Sequence, residues 1–514
     1  MVFIIINMKK HHHALVLSLL CVVLLSLISS CGNKNAEFSK LAAKSTGNKV
    51  FKQMDPEVLA EKLKAKQQAM TKRFRNPKFM AAYYEQQEYQ PVVLQKIFSE
   101  KQMDSVMAIL DSVGNHGLSA NMFNAAKIRT LYTDMKDQKK LNSVEQAYDS
   151  LTELELLLAA AITDYGDVMQ FGAVSPRRIY AQYYTETKRP DERSFTTSLN
   201  AENPKEYLDS IQPKDKAYLT MQRELKRLSA FGGTNNEEAI RILMVNLERM
   251  RWQNKPSGDK YVLVNIPDFT LDVIENGKSA LKMKVCVGEG RNKDYADKLV
   301  EYDESGVKKD RPFNRETPQL NSLIHSVQVN PVWNIPQSIA SNEISKYAAA
   351  DPYYLSNNNI DVYQNGKIVE DPETIDWSED GAAKKYSFKQ RPGDDNSLGK
   401  IKFLFNNQSS VYLHDTPAKK AFDLQVRAVS HGCVRVEEPM KLAQALFGNG
   451  NQYQTIQNAM QTGQPQAKDM GLPSKVPVYL TYNTCWLDES GKLQYRKDVY
   501  GLDIVLYTHL QRLG

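Results

Sequence analysis

The order of apolar and polar residues divides the chain into two parts. From residue 36 to about residue 240, apolar residues recur three or four positions apart, as in Val58, Leu59 and Leu63. This spacing places them on one face of a helix and predicts an amphipathic α-helical region. The apolar run Leu151–Tyr165 gives the strongest helix prediction. No residue type in this half indicates chemistry, so we expect it to serve as a scaffold.

After Trp252 the pattern changes to short apolar runs typical of β-strands, and the polar segment Gln253–Asp259 marks the boundary. Asn276–Gly277 predicts a hairpin turn, and the polar residues 338–390 resemble an insertion. We therefore predict an α+β multidomain fold, with an N-terminal all-α scaffold followed by a β-rich domain. The predicted strands are Tyr261–Pro267, Phe269–Ile274, Leu281–Val287, Ser326–Val329, Ile401–Phe405, Val411–Leu413, Val478–Tyr482 and Val499–Leu506.

Length, composition and charge narrow the class of protein. A chain of 514 residues is too long for one hydrophobic core, so we expect two or three domains. The apolar fraction of 42% and the charged fraction of 25% are ordinary for a globular protein. A net charge of +6 does not indicate nucleic-acid binding; it fits a solvated surface or a weak attraction to an anionic envelope.

The N-terminus predicts export. Lys9 and Lys10 precede the apolar run Ala14–Ile28, which is short for a membrane span and typical of a signal peptide. The small residues before Cys31 resemble a bacterial lipobox, which implies a signal peptide at 1–30 and lipidation of the Cys31 thiol. The alternative is an uncleaved anchor helix. In both cases we expect the body of the protein outside the cytoplasm, anchored to a membrane and facing the periplasm.

The cysteines do not form a paired framework. Of the five, Cys21 lies in the signal segment and Cys31 is the predicted lipidation site, which leaves Cys286, Cys433 and Cys485. Three is an odd number, so at least one thiol stays free in an oxidising compartment. A free thiol there is a liability unless it is buried or used chemically. We expect Cys286 and Cys485 to be buried.

The segment Ser-His-Gly-Cys-Val-Arg-Val at 430–436 combines the groups needed for acyl transfer. An imidazole beside Cys433 favours the nucleophilic thiolate, and His414 ends a predicted strand nineteen positions earlier (433 − 414 = 19). Gly432 lets the backbone approach a substrate closely, and amides near Cys433 can donate to an oxyanion. Arg435 offers a cation for a carboxylate or for holding the loop.

Other interpretations of these residues stay open at this point. Cys433 is explained equally by a small buried side chain, and His431 by a hydrogen-bonded core histidine. His414, His431 and Cys433 together contain the ligand types of a metal site, but no fourth ligand with clear spacing accompanies them. We therefore predict no metal and no cofactor. Trp333, among prolines, fits a substrate groove or core packing.

The sequence His-Asp-Thr-Pro-Ala-Lys at 414–419, followed by Ser-His-Gly-Cys at 430–433, resembles the catalytic signature of the L,D-transpeptidases. Further stretches resemble the large, multidomain branch of that family: Asn-Leu-Glu-Arg at 246–249, Thr317-Pro318, Asn-Pro-Val-Trp-Asn-Ile-Pro at 330–336, and Arg-Pro-Gly at 391–393. The resemblance is strongest over 246–506 and extends to 78–176. It implies a helical scaffold domain at 31–245 and a catalytic domain at 246–514, with a capping lid at 338–390.

The resemblance also implies a role for each matching residue. Cys433 is the expected nucleophile and His414 the general acid and base, oriented by the carbonyl group of Asp415. His431 and Gly432 are expected to shape the oxyanion pocket with Cys433. The remaining expected site residues are Arg435, which holds the loop or a substrate carboxylate, and the substrate-binding residues Trp333, Asn330 and Ser430.

The expected partners are peptidoglycan stem peptides as donor and acceptor, joined by 3→3 cross-links in a Gram-negative-type envelope. Water as acceptor would make the protein an L,D-carboxypeptidase, and a protein lysine would make it an anchoring enzyme. A wall-binding lipoprotein without activity is a hypothesis of another class. The sequence does not fix the diamino acid, the acceptor or the oligomeric state. Large members also carry a peptidoglycan-binding module before the Asn-Leu-Glu-Arg segment. Only residues 229–236 separate the predicted helices Tyr218–Leu228 and Glu237–Arg251 here, which leaves no room for that module.

Overall fold

The structure is a computed structural model that describes residues 37–231, 236–254, 256–290, 300–302, 306–310, 313 and 315–514. Cys31 and the signal segment lie outside these residues. The first half is helical, as predicted. Its helices are α1 (37–46), α2 (Pro56–Met70), α3 (Pro77–Gln86), α4 (Val92–Ser99), α5 (Met103–Asp111), α6 (Ala125–Lys136), α7 (Val144–Phe171), α8 (Pro176–Ile179), α9 (Glu192–Asn200), α10 (Pro204–Ser210), α11 (Lys216–Phe231) and α12 (Glu237–Arg251).

The long helix α7 forms the centre of the helical domain. Ser143 begins it with a capping box, in which Gln146 returns a hydrogen bond. Most of α7 is buried, including the predicted run Leu151–Tyr165, because α2, α4, α6, α9 and α10 pack around it. The buried Glu155 carboxylate accepts hydrogen bonds from the Tyr84 hydroxyl and from the backbone amides that begin α4. These bonds satisfy donors that a helix start otherwise leaves free.

The second half forms a nine-stranded sheet with the order β13-β3-β14-β12-β11-β6-β15-β1-β2. Because β2 also pairs with β3, the sheet closes on itself as a barrel. Asn276 and Gly277 both have positive φ at the hairpin that joins β2 to β3, as predicted. The strands are β1 (Lys260–Asn265), β2 (Thr270–Glu275), β3 (Lys278–Gly288), β4 (Val300–Tyr302), β5 (Lys308–Asp310), β6 (Leu320–Val329), β7 (Trp333–Ile335), β8 (Ile360–Gln364), β9 (Lys367–Ile368), β10 (Ser387–Gln390), β11 (Ile401–Phe405), β12 (Leu413–His414), β13 (Ala428–Ser430), β14 (Val434–Val436), β15 (Lys468–Thr481), β16 (Cys485–Leu487) and β17 (Leu493–Tyr495).

One predicted strand is wrong. The run Val499–Leu506 contributes instead to a helix, Leu502–Arg512, which begins after Gly501 in a left-handed conformation. The run is apolar because this helix is buried, and a short apolar run without periodicity fits a buried helix as well as a strand. The other helices of this half are α13 (Gln337–Ile339), α14 (Ser345–Ala350), α15 (Tyr354–Asn357), α16 (Pro439–Phe447), α17 (Asn451–Thr462) and the one just described, α18.

The predicted insertion contains a small sheet of its own, with strand order β7-β10-β8-β9. A separate hydrophobic cluster lies beneath it, centred on Trp377 and Phe388 and packed against α13 and α14. One turn of π-helix, Ala340–Ile344, joins these two helices. Since β7 belongs to this sheet, the lid as a folded unit begins near residue 333, slightly before the predicted start.

Helix α12 connects the helical domain to the barrel. Arg249 forms a buried ion pair of 2.6 Å with Asp503 on α18. The Tyr180 hydroxyl donates to the Leu502 carbonyl group, and Tyr183 forms a β-bridge with Gln319 beside β6. Among the described residues, no helix combines the length and apolar character needed to cross a membrane.

Candidate active site

A cavity of about 260 Å³ lies between the barrel and the lid. The barrel side carries Tyr412, His414, Ser430, His431, Cys433 and Arg435, and the lid side carries Trp333, Glu343, Tyr347 and Tyr354. Parallel pairing of β12 with β14 places His414 opposite Arg435, and Cys433 comes directly before β14. The two sequence segments of the predicted signature therefore meet at one cavity.

His414 is held as a neutral base. Its Nδ1 lies 2.5 Å from the Asp415 carbonyl oxygen, and since a carbonyl only accepts, Nδ1 must carry the proton. Nε2 therefore keeps its lone pair. Burial lowers the pKa of His414 to about 3, and the nearby Arg435 charge acts in the same direction. The imidazole is thus neutral throughout the physiological range, as a general base requires.

Asp415 positions His414 with its backbone, while its carboxylate fixes the turn. The carboxylate accepts from the Lys400 amide at 3.0 Å and from Lys419 Nζ at 2.6 Å. It lies so close to Gly399 that a Cβ there would be 2.4 Å from the Asp415 Cγ. A side chain at position 399 would displace Asp415 and, with it, the carbonyl that orients His414.

The Cys433 side chain is half-buried and borders the cavity. Burial raises the pKa of its thiol, while hydrogen bonding to Tyr412 and the Arg435 charge oppose this rise. The resting thiol is therefore protonated. This differs from our expectation that neighbouring groups favour the thiolate, because burial of the thiol disfavours its charged form more than these groups stabilise it.

The loop before Cys433 is fixed by its own hydrogen bonds. The Ser430 hydroxyl donates to the Cys433 carbonyl oxygen at 2.5 Å and accepts from the Gly432 amide at 3.2 Å. Ser430 thus shapes the loop, whereas we expected it to bind substrate. Gly432 has a φ of +112°, which other residues rarely adopt. Its amide is engaged, but the amides of His431 and Cys433 have no acceptor within the described part of the chain.

Thr317 supports this loop from behind. Its buried hydroxyl donates to the Gly432 carbonyl oxygen and accepts from the Gly288 amide, each at 2.8 Å. The Tyr500 hydroxyl donates to the Gly288 carbonyl oxygen at 2.6 Å. A Cβ at Gly288 would lie 1.9 Å from the Arg315 carbonyl oxygen, so only glycine fits there.

The His431 side chain contacts the lid, although we expected it at the oxyanion pocket. Its Nε2 lies 2.7 Å from Oε1 of Glu343, and the same oxygen accepts from Arg315 at 2.6 Å. Burial alone would raise the pKa of Glu343, but His431 and Arg315 outweigh it and the pKa is lowered. The backbone amide of His431 has no described acceptor and stays available to an oxyanion.

The two remaining substrate-binding predictions have different outcomes. Trp333 lines the cavity from β7, where a substrate could contact it. Asn330 does not belong to this cavity: its side-chain amide donates to the carbonyl groups of Ala459 and Pro465. The structure thus places Asn330 outside this cavity, where its amide ties the start of the lid to the end of α17.

The structure adds residues that the sequence did not single out. Tyr412 hydrogen-bonds to Cys433 and lies edge-on to His414 at 5.6 Å between ring centroids. Lys402 pairs with His414 across β11 and β12, with Nζ 5.5 Å from the Tyr412 ring centroid. Tyr412 could have been found, because it is two positions before His414 on an extended segment and so shares its face.

A metal interpretation gains no support. Within the ranges that the structure describes, no three His, Cys, Asp or Glu side chains are grouped to hold a metal ion. Cys286 and Cys485 are both buried and unpaired, as expected for structural thiols. The groups that this cavity offers for chemistry include a thiol, an imidazole and backbone amides.

Comparison with known proteins agrees with the two-part architecture. Residues 259–452 match the model of an L,D-transpeptidase catalytic domain, and residues 78–225 match that of a scaffold domain. The chain therefore carries an L,D-transpeptidase catalytic domain and a scaffold domain. It is 27% identical over 439 residues to a Haemophilus influenzae protein named "Putative L,D-transpeptidase", a match that covers 80% of this chain and 84% of that protein.

Proposed function

We propose that the protein forms 3→3 cross-links between peptidoglycan stem peptides through a thioester on Cys433. The observation that carries this proposal is the pairing, in one cavity, of a half-buried thiol with a neutral imidazole whose Nε2 is unprotonated. The match to an L,D-transpeptidase catalytic domain supports peptidoglycan as the substrate. The lid over the cavity fits a peptide substrate that must be held away from water.

In the acylation step, His414 Nε2 removes the thiol proton as Cys433 Sγ attacks the carbonyl carbon at the L-centre of the donor's diamino acid. The amides of His431 and Cys433 donate to the oxyanion of the tetrahedral intermediate. The bond to the terminal D-Ala nitrogen then breaks, and His414 returns the proton to that amine. Because the resting pair is neutral, proton transfer accompanies attack and does not precede it.

In the second step, an amine on a neighbouring stem attacks the thioester carbon and gives a proton to His414. The C–S bond breaks, and the released thiolate takes that proton back. An amide cross-link forms and the enzyme regains its neutral pair. Arg435 lies beside both catalytic residues and serves to hold the carboxylate of one stem. We further propose lipidation at Cys31, which would tether the enzyme to a membrane with its catalytic domain in the periplasm.

Intact-protein mass spectrometry with a synthetic tetrapeptide donor tests the proposal. We expect release of one D-Ala, a thioester adduct on Cys433, and a cross-linked dimer once an acceptor stem is added. Cys433→Ala should give neither adduct nor dimer, whereas the matched control Cys485→Ala, a buried cysteine outside this cavity, should give both.

Two outcomes would contradict the proposal. An adduct that persists in Cys433→Ala would exclude this thiol as the nucleophile. D-Ala release without any dimer would identify water as the acceptor and the enzyme as a carboxypeptidase. Muropeptide analysis of cells that express Cys433→Ala gives the matching measurement in the wall, where 3→3 cross-links should be lost.

A further inference from the structure

A second cavity lies where the helical domain meets the barrel. Its volume is about 460 Å³, and among the described residues none lines both this cavity and the Cys433 cavity. One side comes from the helical domain, including Tyr183 and Met221, and the other from the ends of β1 and β15. Ligand sites commonly occupy such positions between domains.

The cavity has aromatic walls. Tyr261, Tyr479 and Trp486 are half-buried and line it, so part of each ring is accessible. Tyr261 and Tyr479 meet edge to face, with ring centroids 5.7 Å apart. Such rings present a flat apolar face beside a polar tip, which suits ligands that are apolar on one side and hydroxylated at the edge.

Two buried polar side chains at this cavity lack partners. Gln319 and Thr185 are each 7% exposed, and neither side chain forms a hydrogen bond to any described residue. The backbone of Gln319, by contrast, is fully paired with residues 182 and 184. Neither polar group is among the fully enclosed, unsatisfied atoms of the described residues, so both are accessible from the cavity and can meet a ligand or water there.

Both charged side chains that line the cavity, Arg249 and Asp215, have partners within the protein, although Arg249 Nε is enclosed without a hydrogen-bond partner among the described residues. Arg249 pairs with Asp503 at 2.6 Å, and Asp215 accepts from the Ala217 amide. What remains for a ligand is an amide, a hydroxyl group and aromatic faces. A stem peptide would bring carboxylates that need cations, whereas a saccharide brings hydroxyl groups and apolar ring faces.

We propose that this cavity binds a short saccharide segment, and, resting on the proposed function, that the segment belongs to the glycan strand whose stem peptides reach Cys433. Sugar hydroxyl groups would pair with Gln319 and Thr185, and a sugar ring would lie against Trp486. Binding at two places raises the effective concentration of a stem near the catalytic cavity without any new contact there.

Calorimetry of the full chain with peptide-free glycan oligosaccharides, prepared by amidase digestion of sacculi, tests this proposal. We expect the wild type to bind and Trp486→Leu to bind at least about tenfold more weakly, a loss of about 1.4 kcal/mol. Thr185→Val, which removes one unpartnered hydroxyl group at constant shape, should also weaken binding. The control is Tyr353→Ala on the lid, 64% exposed and outside both cavities, which should bind as the wild type does.

Three results would overturn the proposal: no binding by the wild type, equal binding by Trp486→Leu and Thr185→Val, or displacement of the oligosaccharide by a free tetrapeptide stem. The first would mean that the cavity holds only water. Thermal unfolding of each variant establishes that it is folded before binding is compared. Acylation of Cys433 should be unchanged in all variants, so a failure of the proposed enzymatic function is distinguishable from a failure of this site.

Discussion

Thr317→Val should disable the catalytic loop without touching a catalytic residue. Thr317 is 3% exposed, and valine has nearly the same shape, so packing is preserved. The substitution removes the hydroxyl group that bridges the Gly432 carbonyl oxygen and the Gly288 amide. We therefore expect Gly432 to lose its fixed position directly before Cys433.

The magnitude follows from the two bonds. Loss of each bond leaves a buried backbone group without a partner, at about 1–3 kcal/mol apiece, so the free energy of unfolding should fall by roughly 2–6 kcal/mol. The catalytic effect is separate, since it depends on geometry. A displacement of about 1 Å at reacting groups can cost about 100-fold in rate. We expect the acylation rate constant to fall by about 10- to 100-fold, with a smaller change in donor affinity.

Stopped-flow acylation of Cys433 by a carbapenem, with adducts quantified by mass spectrometry, separates the rate constant from the binding constant. Thr317→Ser keeps the hydroxyl group and should recover most of the rate, which a general loss of packing would not explain. Acylation of folded Thr317→Val at the wild-type rate would refute the role assigned to this residue.

Three further predictions concern charge. Because the pKa of His414 is about 3 and that of Cys433 is raised, the acylation rate should be flat between about pH 5 and pH 8; a limb near pH 6.5 would contradict the neutral pair. Burial raises the pKa of Glu155 to about 7, so the folded state binds this proton more tightly than the unfolded state. Binding of this proton raises the free energy of unfolding by about 3 kcal/mol at pH values below the unfolded-state pKa, which is about 4.5. This contribution is lost as the pH rises through 7. Denaturant unfolding of Glu155→Gln should lack this dependence, and curves parallel to the wild type would contradict it. Glu343→Gln should weaken the contact between lid and loop and increase hydrogen exchange across α13 and α14, whereas Glu379→Gln, which removes an exposed ion pair of the lid, should not.

The parts of the fold that could be predicted are those in which neighbouring residues set the structure. Helix α12 begins and ends at the predicted residues, because its apolar spacing and flanking polar segments are local features. The Asn276–Gly277 turn is local in the same sense. The strand prediction for Val499–Leu506 was wrong because its apolar residues indicate burial but not the type of secondary structure. Here the packing of α18 against α12 and β5, which are distant in sequence, determines that the buried element is a helix.

The difference between local features and contacts of distant residues also explains which parts of the candidate active site could be predicted. His414 and Cys433 could be predicted, because their identities and spacing form a signature. The contact between His431 and Glu343 joins residues 88 positions apart and depends on how the lid folds over the barrel. Asn330 shows the reverse case: the motif predicts a substrate-binding residue, whereas in the structure its amide donates to the backbone of α17. A motif thus identifies which residues matter, and the packing shows whether each one serves the chemistry or the structure.

The protonation state of Cys433 is the clearest case of a property that spacing alone cannot give. The residue types favour a thiolate, since an imidazole and two cations, Arg435 and Lys402, stand close by. Burial under the lid acts on both members of the pair at once, raising the pKa of the thiol and lowering that of His414. Both shifts favour the neutral forms, so in the proposed mechanism each charge develops during attack. The preorganised hydrogen-bond donors would then stabilise the charges of the transition state more than the resting state, and this difference accelerates the reaction. Stabilising a resting ion pair would not accelerate it.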